Sequence, residues 1–583
     1  MTTTQQQRRP RTPDPAGPGP RRWVWITVAT LFYVGLAALV AAKFLGAPAI
    51  ALSPHLPGDQ TWFEWLLAHG AYTLQHLSNP LFSAQQNAPD GVNMMANTSV
   101  LGVTLPLAPV TLLAGPRVTY VIWLMGALAA TAATTAWVLR RHAGASPVGS
   151  LLGGAFAGFA PGVIHHANGQ PNFVSNFLLP LIVAAALRLG RTGRWLRDGV
   201  LLGLLVTWQL FINEEMLLIT ALACAVAVLA RWRKFWERGA GFLRGLGVTA
   251  AVAGVLCAYP IFFQFHGPGS FRGMPAFNKW GEDPVAYLTF SRDTLAGTSA
   301  AEAEIGHTEM NSWFGWPLTL LVIVLAIVAV RRRRSWGKPV AVLLGVFGIL
   351  SLGPVLRLGG TLTTLPGPLA VLPEVAPLDM LMPARFTFVV VGVTAVLLAH
   401  GWDLLPPLWT AGARVATIAA LVPIIPTPVP AGHRLPPPDF IASGAWQSYV
   451  TPGSTLVPLP LPDNGAGIDS LSWNATALHG FRVPEGYFLG PDASGAGHAG
   501  PVQLSATTQL ISAASAAGVA PAVTDADRAA ARADLCRWHA SAVVVRSEPG
   551  YDLVRQLATG LYGPPELVRD VWLWRVPPTA CPA

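Results

Sequence analysis

Residues 55–97 read HLPGDQTWFEWLLAHGAYTLQHLSNPLFSAQQNAPDGVNMMAN. They follow the first strongly apolar stretch, Trp23 to Lys43, so the loop they form emerges at a membrane surface. Asp59 stands near its start, in a Pro-Gly turn. Behind it, Trp62, Trp65, Leu66, His69, Tyr72 and Leu77 recur at roughly helical spacing, which predicts an amphipathic helix over 61–77. Such a helix is expected to lie in the interface, its Trp and Tyr rings at headgroup depth. Asn79-Pro80 and Pro89-Asp90-Gly91 then mark turns. An acid held just above a bilayer suits work on a lipid-borne substrate; the plainer reading is an ordinary solvated acid. Glu64, on the same helix, is expected to tolerate replacement by Gln.

Of the 583 residues, 52% are hydrophobic and 11% are charged, against roughly 25% charged in ordinary soluble domains. That is the composition of a polytopic membrane protein. The net charge of +9 comes from short basic runs between apolar spans, so it reports topology and not nucleic-acid binding. The four cysteines have no metal-ligand spacing. Cys224 and Cys257 fall inside apolar spans, and Cys536 and Cys581 in the more polar final portion.

The predicted fold is an α-helical polytopic membrane protein with a C-terminal extracytoplasmic α/β domain. Residues 1–22 read as a disordered cytoplasmic tail, with Arg8, Arg9, Arg11, Arg21 and Arg22 placing it inside. Residues 23–428 read as the transmembrane domain, about 11 helices, with outer loops 44–117 and 263–312. The stretch 100–113, interrupted by Pro106 and Pro109, is read as re-entrant. Counting it as a span would put Arg140-Arg141 outside, and omitting it lands every strongly basic loop inside. Gly154, Gly158 and Gly162, at spacing four, predict a close-packing helix face. Residues 429–439 form a linker. Residues 440–583 alternate strands (455–459, 542–545, 571–575) with helices (505–516, 525–538, 553–559), which predicts a small α/β domain. It carries no glycine-rich nucleotide loop or nucleophile elbow, so it is expected to shape an acceptor site. Asn474-Ala475-Thr476 matches the glycosylation triplet. In an oxidising compartment Cys536 and Cys581 either bridge or remain two buried thiols.

Polar clusters gather on the outer side. His165-His166 begins a short loop that continues through Asn168, Gln170 and Asn172; paired imidazoles suit metal binding or proton relay. Glu214 and Glu215 sit in a minimal turn, where acids are exposed, paired or functional. The loop 263–312 ends with His307, Glu309 and Asn311. Asp379 and Arg385 flank Pro383. The Arg385 guanidinium fork suits a phosphate, or else snorkels as an anchor.

Taken in order, these parts resemble the GT-C superfamily of integral-membrane glycosyltransferases. The resemblance rests on an acid in the first outer loop (Asp59 in GDQTWFEW), an interfacial helix behind it and many spans with an outer C-terminal domain. It also draws on the continuation NPLFSAQQNAPDGVNMMANTSV, with weaker likeness at 305–317 and 383–386. The resemblance implies a polyprenyl-phosphate sugar donor, a glycan, lipid or protein acceptor, and a multi-pass plasma-membrane enzyme moving a hexosyl or pentosyl group. It makes Asp59 the catalytic base, with Arg385, His307 and Glu309 toward the donor phosphate. Where many members carry a second acidic motif, this chain has His165 and His166; Glu214 and Glu215 come one loop later. No cofactor is required by the sequence, and a divalent cation held by His165 and Glu214 is the alternative to Arg385 for offsetting phosphate charge. A lipid or glycan transporter or flippase, and a non-catalytic envelope-assembly protein, are the competing classes. A transporter usually shows related halves, and no such repeat is visible.

Overall fold

The computed structural model describes residues 20–191, 193–274, 280–306, 309–371, 380–404, 410–451, 453–462, 467–577, 579 and 581. Among these, six helical stretches are long and apolar enough to cross a bilayer: Trp23–Val40, Leu101–Arg141, Pro147–His166, Pro171–Arg188, Ala240–His266 and Pro383–Leu404. Gly315–Arg331, Gly337–Leu350 and Ala411–Ile424 are apolar but shorter. The chain is a membrane protein. Ala240–His266 presents Val255, Tyr259, Phe262 and other large apolar side chains outward, as a lipid-facing helix does.

The stretch 100–113 is not a separate element. It is the first arm of the helix Leu101–Arg141, which breaks at Gly115 (φ 79°, ψ 163°) just before Pro116. A glycine tolerates that backbone, and the proline after it cannot donate back into the preceding turn, so the helix kinks there. Gly154 and Gly158 press against this kinked helix: a Cβ on Gly154 would come 2.6 Å from the Ala132 carbonyl oxygen, and one on Gly158 2.8 Å from that of Leu128. Gly162 leaves their face because the helix is interrupted at Ala160, and it meets the backbone of Asn311 instead.

The first-loop helix runs Pro57–His76 and is not interfacial. Trp62, Trp65, Leu66 and His69 are buried, and so are Gln60, Thr61, Glu64 and Thr73 on its other sides. It is wedged between the kinked helix, where Gly70 abuts Thr104, and the helix Ile468–Thr476. Trp65 Nε1 donates to Asn474 Oδ1 at 2.7 Å. Asn474 is fully buried and also donates to the Phe481 carbonyl at 2.6 Å, so the glycosylation triplet is closed in the folded chain.

In the C-terminal region the strands are ordered Glu566–Val568, Val571–Arg575, Ala540–Arg546, Thr455–Leu459, the last pair parallel and the others antiparallel. Side chains alternate across the sheet. Val457, Val543, Val545 and Trp574 face the helices Ala506–Ala517, Asp525–Arg537 and Asp552–Tyr562. Leu456, Ala542, Val544 and Leu573 face Phe440, Trp446, Trp473 and Phe481. A sheet buried on both faces explains the unbroken apolar run Ala542 to Val545. Cys536 and Cys581 form a disulfide, tying the end of the chain to the helix Asp525–Arg537.

Candidate functional site

Pro57 begins the first-loop helix and puts Asp59 in its first turn, where the helix end favours negative charge. Both carboxylate oxygens are engaged. Gln170 Nε2 donates to Oδ2 at 2.7 Å, and the Tyr487 hydroxyl donates to Oδ1. Behind Gln170 the contacts continue inward. Its Oε1 lies 2.5 Å from His166 Nδ1, and His166 Nε2 lies 2.6 Å from Asn311 Oδ1. Asn311 is clamped in turn. Its side-chain amide donates to the Glu309 carbonyl at 2.6 Å, and its backbone N–H to Glu282 Oε1 at 2.5 Å. Glu282 also accepts from the Ser312 hydroxyl at 2.6 Å.

The Glu309 side chain meets Arg385. Arg385 Nε donates to Glu309 Oε2 at 2.9 Å, a second guanidinium nitrogen donates to Glu215, and the guanidinium carbon stands 4.1 Å from the Phe173 ring centroid. Met382 N–H fixes the other Glu215 oxygen at 3.1 Å. A run of hydrogen bonds therefore leads from Tyr487 through Asp59, Gln170, His166 and Asn311 to the Glu309 main-chain carbonyl, and the Glu309 carboxylate, Arg385 and Glu215 form an ion cluster at that end. It passes through a wall of apolar side chains, where each charge needs its partner.

Burial raises the Asp59 carboxyl above its ordinary value; the hydrogen bonds from Tyr487 and Gln170 pull against this, Glu309 adds to it, and Arg385 opposes it. Burial also works against ionising Glu309, but the Arg385 guanidinium, aided by His166 and His165, outweighs it and holds that carboxyl low. Burial thus makes one acid a stronger base than an ordinary aspartate, while the other is held low beside a fixed cation. A general base works best with its pKa near the operating pH.

Of the residues singled out in the sequence, Asp59, His166, Glu215, Glu309 and Arg385 come together on this path. His165 is buried beside them. Glu214 diverges: its Oε2 accepts from Gln264 at 2.9 Å. His307 and Asp379 lie outside the described residues. Arg385 is not a free phosphate fork, because two carboxylates already hold it. Among the described residues no three His, Cys, Asp or Glu side chains are grouped to hold a metal ion. Tyr487 and Glu282 were not anticipated. Tyr487 comes from a Gly-Tyr pair in an irregular stretch, and only tertiary structure brings it to Asp59.

The fold and its polar cluster define a largely helical membrane protein, with six helical stretches able to cross a bilayer among the described residues. Within that class the chain belongs to the family described as a domain of unknown function, DUF6311, whose model matches residues 24–410. Among solved structures the chain is similar to the mycobacterial arabinofuranosyltransferase AftD, with a TM-score of 0.53 and 14% identity over 91% of this chain and 37% of that one. It thus spans well under half of that protein. The oligosaccharyltransferase AglB of Archaeoglobus fulgidus, solved with an inhibitory peptide and a dolichol-phosphate, aligns with a TM-score of 0.44 and 10% identity over 94% of this chain and 72% of that one. No curated protein matches the sequence.

Proposed function

We propose that the protein is an integral-membrane glycosyltransferase that moves a sugar from a polyprenyl-phosphate donor to a glycan, lipid or protein acceptor. The observation that carries this reading is the buried path joining Asp59 to the Glu309–Arg385–Glu215 group inside a GT-C fold. In the step we infer, Asp59 takes the proton of the acceptor nucleophile. The acceptor atom forms a bond to the anomeric carbon. The bond from that carbon to the phosphate oxygen breaks, and its electron pair leaves with the polyprenyl phosphate. Arg385 is the cation of this group, and a leaving phosphate that reaches it would exchange for one of the two carboxylates, Glu309 or Glu215, that hold it.

In this reading about 11 helices span the plasma membrane, the N-terminus is cytoplasmic and residues 440–583 form an extracytoplasmic α/β domain beside the acceptor. The disulfide between Cys536 and Cys581 supports that side assignment, since such bonds persist in oxidising compartments. AftD's name, an arabinofuranosyltransferase, supports a sugar donor and leaves hexosyl and pentosyl transfer both open. The test is transfer from a radiolabelled polyprenyl-phosphate sugar in membranes holding the full chain, with Asp59→Asn as control. Turnover lost in the variant supports the reading. Absence of transfer across mannosyl and arabinosyl donors, with movement of labelled lipid between leaflets, would instead favour a flippase.

A further inference from the structure

The two oxygens of Asp59 are not equivalent. Oδ2 is held by Gln170, whose own carbonyl oxygen is committed to His166, so that side is fixed from behind. Oδ1 is covered by a phenol O–H brought in by the C-terminal region. We propose that the Tyr487 hydroxyl occupies the place of the acceptor's hydroxyl, so that the acceptor binds by displacing Tyr487 and reacts through an O–H group.

Tyr487 lies flat on the first turn of the first-loop helix. A Cβ on Gly58 would come 2.7 Å from its ring Cε2, so this approach needs the glycine. The ring opens a strap, residues 486–500, folded as a hairpin of Leu489–Pro491 against Gly497–Ala499. Gly486 (φ 155°) and Gly500 (φ 85°) bound it, both in backbone conformations that side-chain-bearing residues rarely adopt. Its tip, Ala493 and Ser494, is exposed. The strap is fastened to the helical region through backbone-directed contacts. Asn97 pairs with Leu489 at 2.7 and 2.8 Å, Arg272 N–H reaches the Gly495 carbonyl at 3.0 Å, and Gly497 N–H reaches that of Gly273 at 3.0 Å. Bonds of this kind can be exchanged for water at modest net cost.

The acceptor class follows from donor count. A hydroxyl presents one proton and needs one carboxylate oxygen, as Tyr487 shows. A carboxamide acceptor presents two N–H groups, and the second oxygen of Asp59 is already spoken for by Gln170. The acceptor assignment rests on the glycosyl-transfer reading; the displacement of Tyr487 does not.

The experiment uses the full chain in lipid nanodiscs with a reversible lock. Arg272→Cys with Ala496→Cys places thiols across the paired positions of strap and helical region. The probe is dicyclohexylcarbodiimide, which couples to protonated buried carboxyls, and labelling of Asp59 is read by mass spectrometry. The wild-type chain is treated with the same oxidant and reductant, because its own disulfide is also exposed to them. The expected result is labelling in the reduced double variant, loss of labelling when oxidised, and labelling restored in the oxidised form by adding Tyr487→Ala. Equal labelling in the locked and unlocked states, whether full or absent, overturns the proposal. So does failure of Tyr487→Ala to restore it. In transfer assays an alkyl glycoside should accept sugar and an asparaginyl peptide should not; transfer to the peptide overturns the O–H assignment. If neither accepts while the labelling behaves as expected, the glycosyl-transfer reading fails and the strap remains.

Discussion

Two groups of buried charge share the first-loop helix, one reached through Asp59 and the other through Glu64. Around Asp59 there are three carboxylates, Asp59, Glu309 and Glu215, to one guanidinium, Arg385, and hydrogen bonds run from Asp59 as far as the Glu309 main-chain carbonyl. At Glu64 the balance is reversed. Glu64 bonds Arg434 at 2.6 Å, and Arg117 stands nearby, donating at 2.9 Å to Ser472 of the helix Ile468–Thr476. This second group is connected as well: Gln60 donates to Glu64 Oε1 at 2.9 Å and its own carbonyl oxygen accepts from the Ser53 N–H at 2.7 Å, while Glu64 Oε2, Arg117 Nε and two Arg434 nitrogens have no hydrogen-bond partner among the described residues. Burial is common to both. What separates them is which charge is in excess, carboxylate around Asp59 and guanidinium around Glu64. An excess of carboxylate leaves Asp59 able to take up a proton, whereas the excess of guanidinium around Glu64 ties the first-loop helix to Arg434.

Asp59→Asn is the sharpest way to break that contrast. Asn keeps the size and one acceptor oxygen but cannot take up a proton, so turnover should fall about 10²–10⁴-fold. Thermal unfolding should stay close to wild type, because the Asn oxygen can accept from Gln170 while its N–H donates to the Tyr487 oxygen, whose hydroxyl can turn to accept. Single-turnover transfer and a melting curve on the same nanodisc sample give both readouts. Full activity in the variant would end the base assignment.

Glu64→Gln should do the opposite. The sequence alone suggested a mild substitution, but the structure shows that Glu64 is 1% exposed and its Arg434 partner's side chain 5%. Removing one partner strands a buried cation, which typically costs about 3–5 kcal/mol. The loss should appear in denaturant unfolding, with the molecules that remain folded turning over normally. A variant as stable as wild type but slow in transfer would mean that the two groups are one site.

Glu282 tests whether the Asp59 path responds to pH from its far end. Burial pushes its carboxyl up to about 8, against the hydrogen bonds from Ser312 and Asn311. A group with a raised folded-state pKa binds its proton more tightly when folded. Its contribution is full below the unfolded value, about 4.3 for Glu, and is lost as pH rises through about 8. Glu282→Gln removes that slope, at most about 1.4 kcal/mol per pH unit for one group. Melting temperatures from pH 5 to 8 should therefore fall more steeply in wild type than in the variant. Parallel curves would show that Glu282 is ionised throughout.

Asp59 was legible in the sequence because its signal is local: a Pro-Gly turn, an acid, and an apolar helix after the first span. The strands of the C-terminal region were legible for the same reason. The burial of the first-loop helix was not. Its 3.6-residue period is the same whether the second face meets headgroups or the C-terminal region, and the residues deciding between them, Asn474 and Arg434, lie hundreds of positions away. The membership of the site was half legible. Glu309, Arg385, His166 and Glu215 stood out as polar groups beside apolar spans, but their pairing did not. An Arg385 free for phosphate and an Arg385 held by two acids have the same sequence. Tyr487 had no signal at all, since a tyrosine in a glycine-flanked loop is ordinary until the chain folds back.

The smallest effect is expected at the rim of the junction. Arg537 bonds Asp90 at 2.8 Å, joining the C-terminal region to the first loop, but the two side chains are 64% and 59% exposed. An ion pair in that setting contributes about 0–1 kcal/mol and weakens with salt. Arg537→Ala alone would confound the pair with its neighbour Cys536, so the measurement is a double-mutant cycle with Asp90→Ala, which isolates the pairwise term. The coupling should be below about 1 kcal/mol at low salt and vanish at high salt. If it instead equalled the loss from Glu64→Gln, the junction would depend on its wet rim as much as on its buried pair.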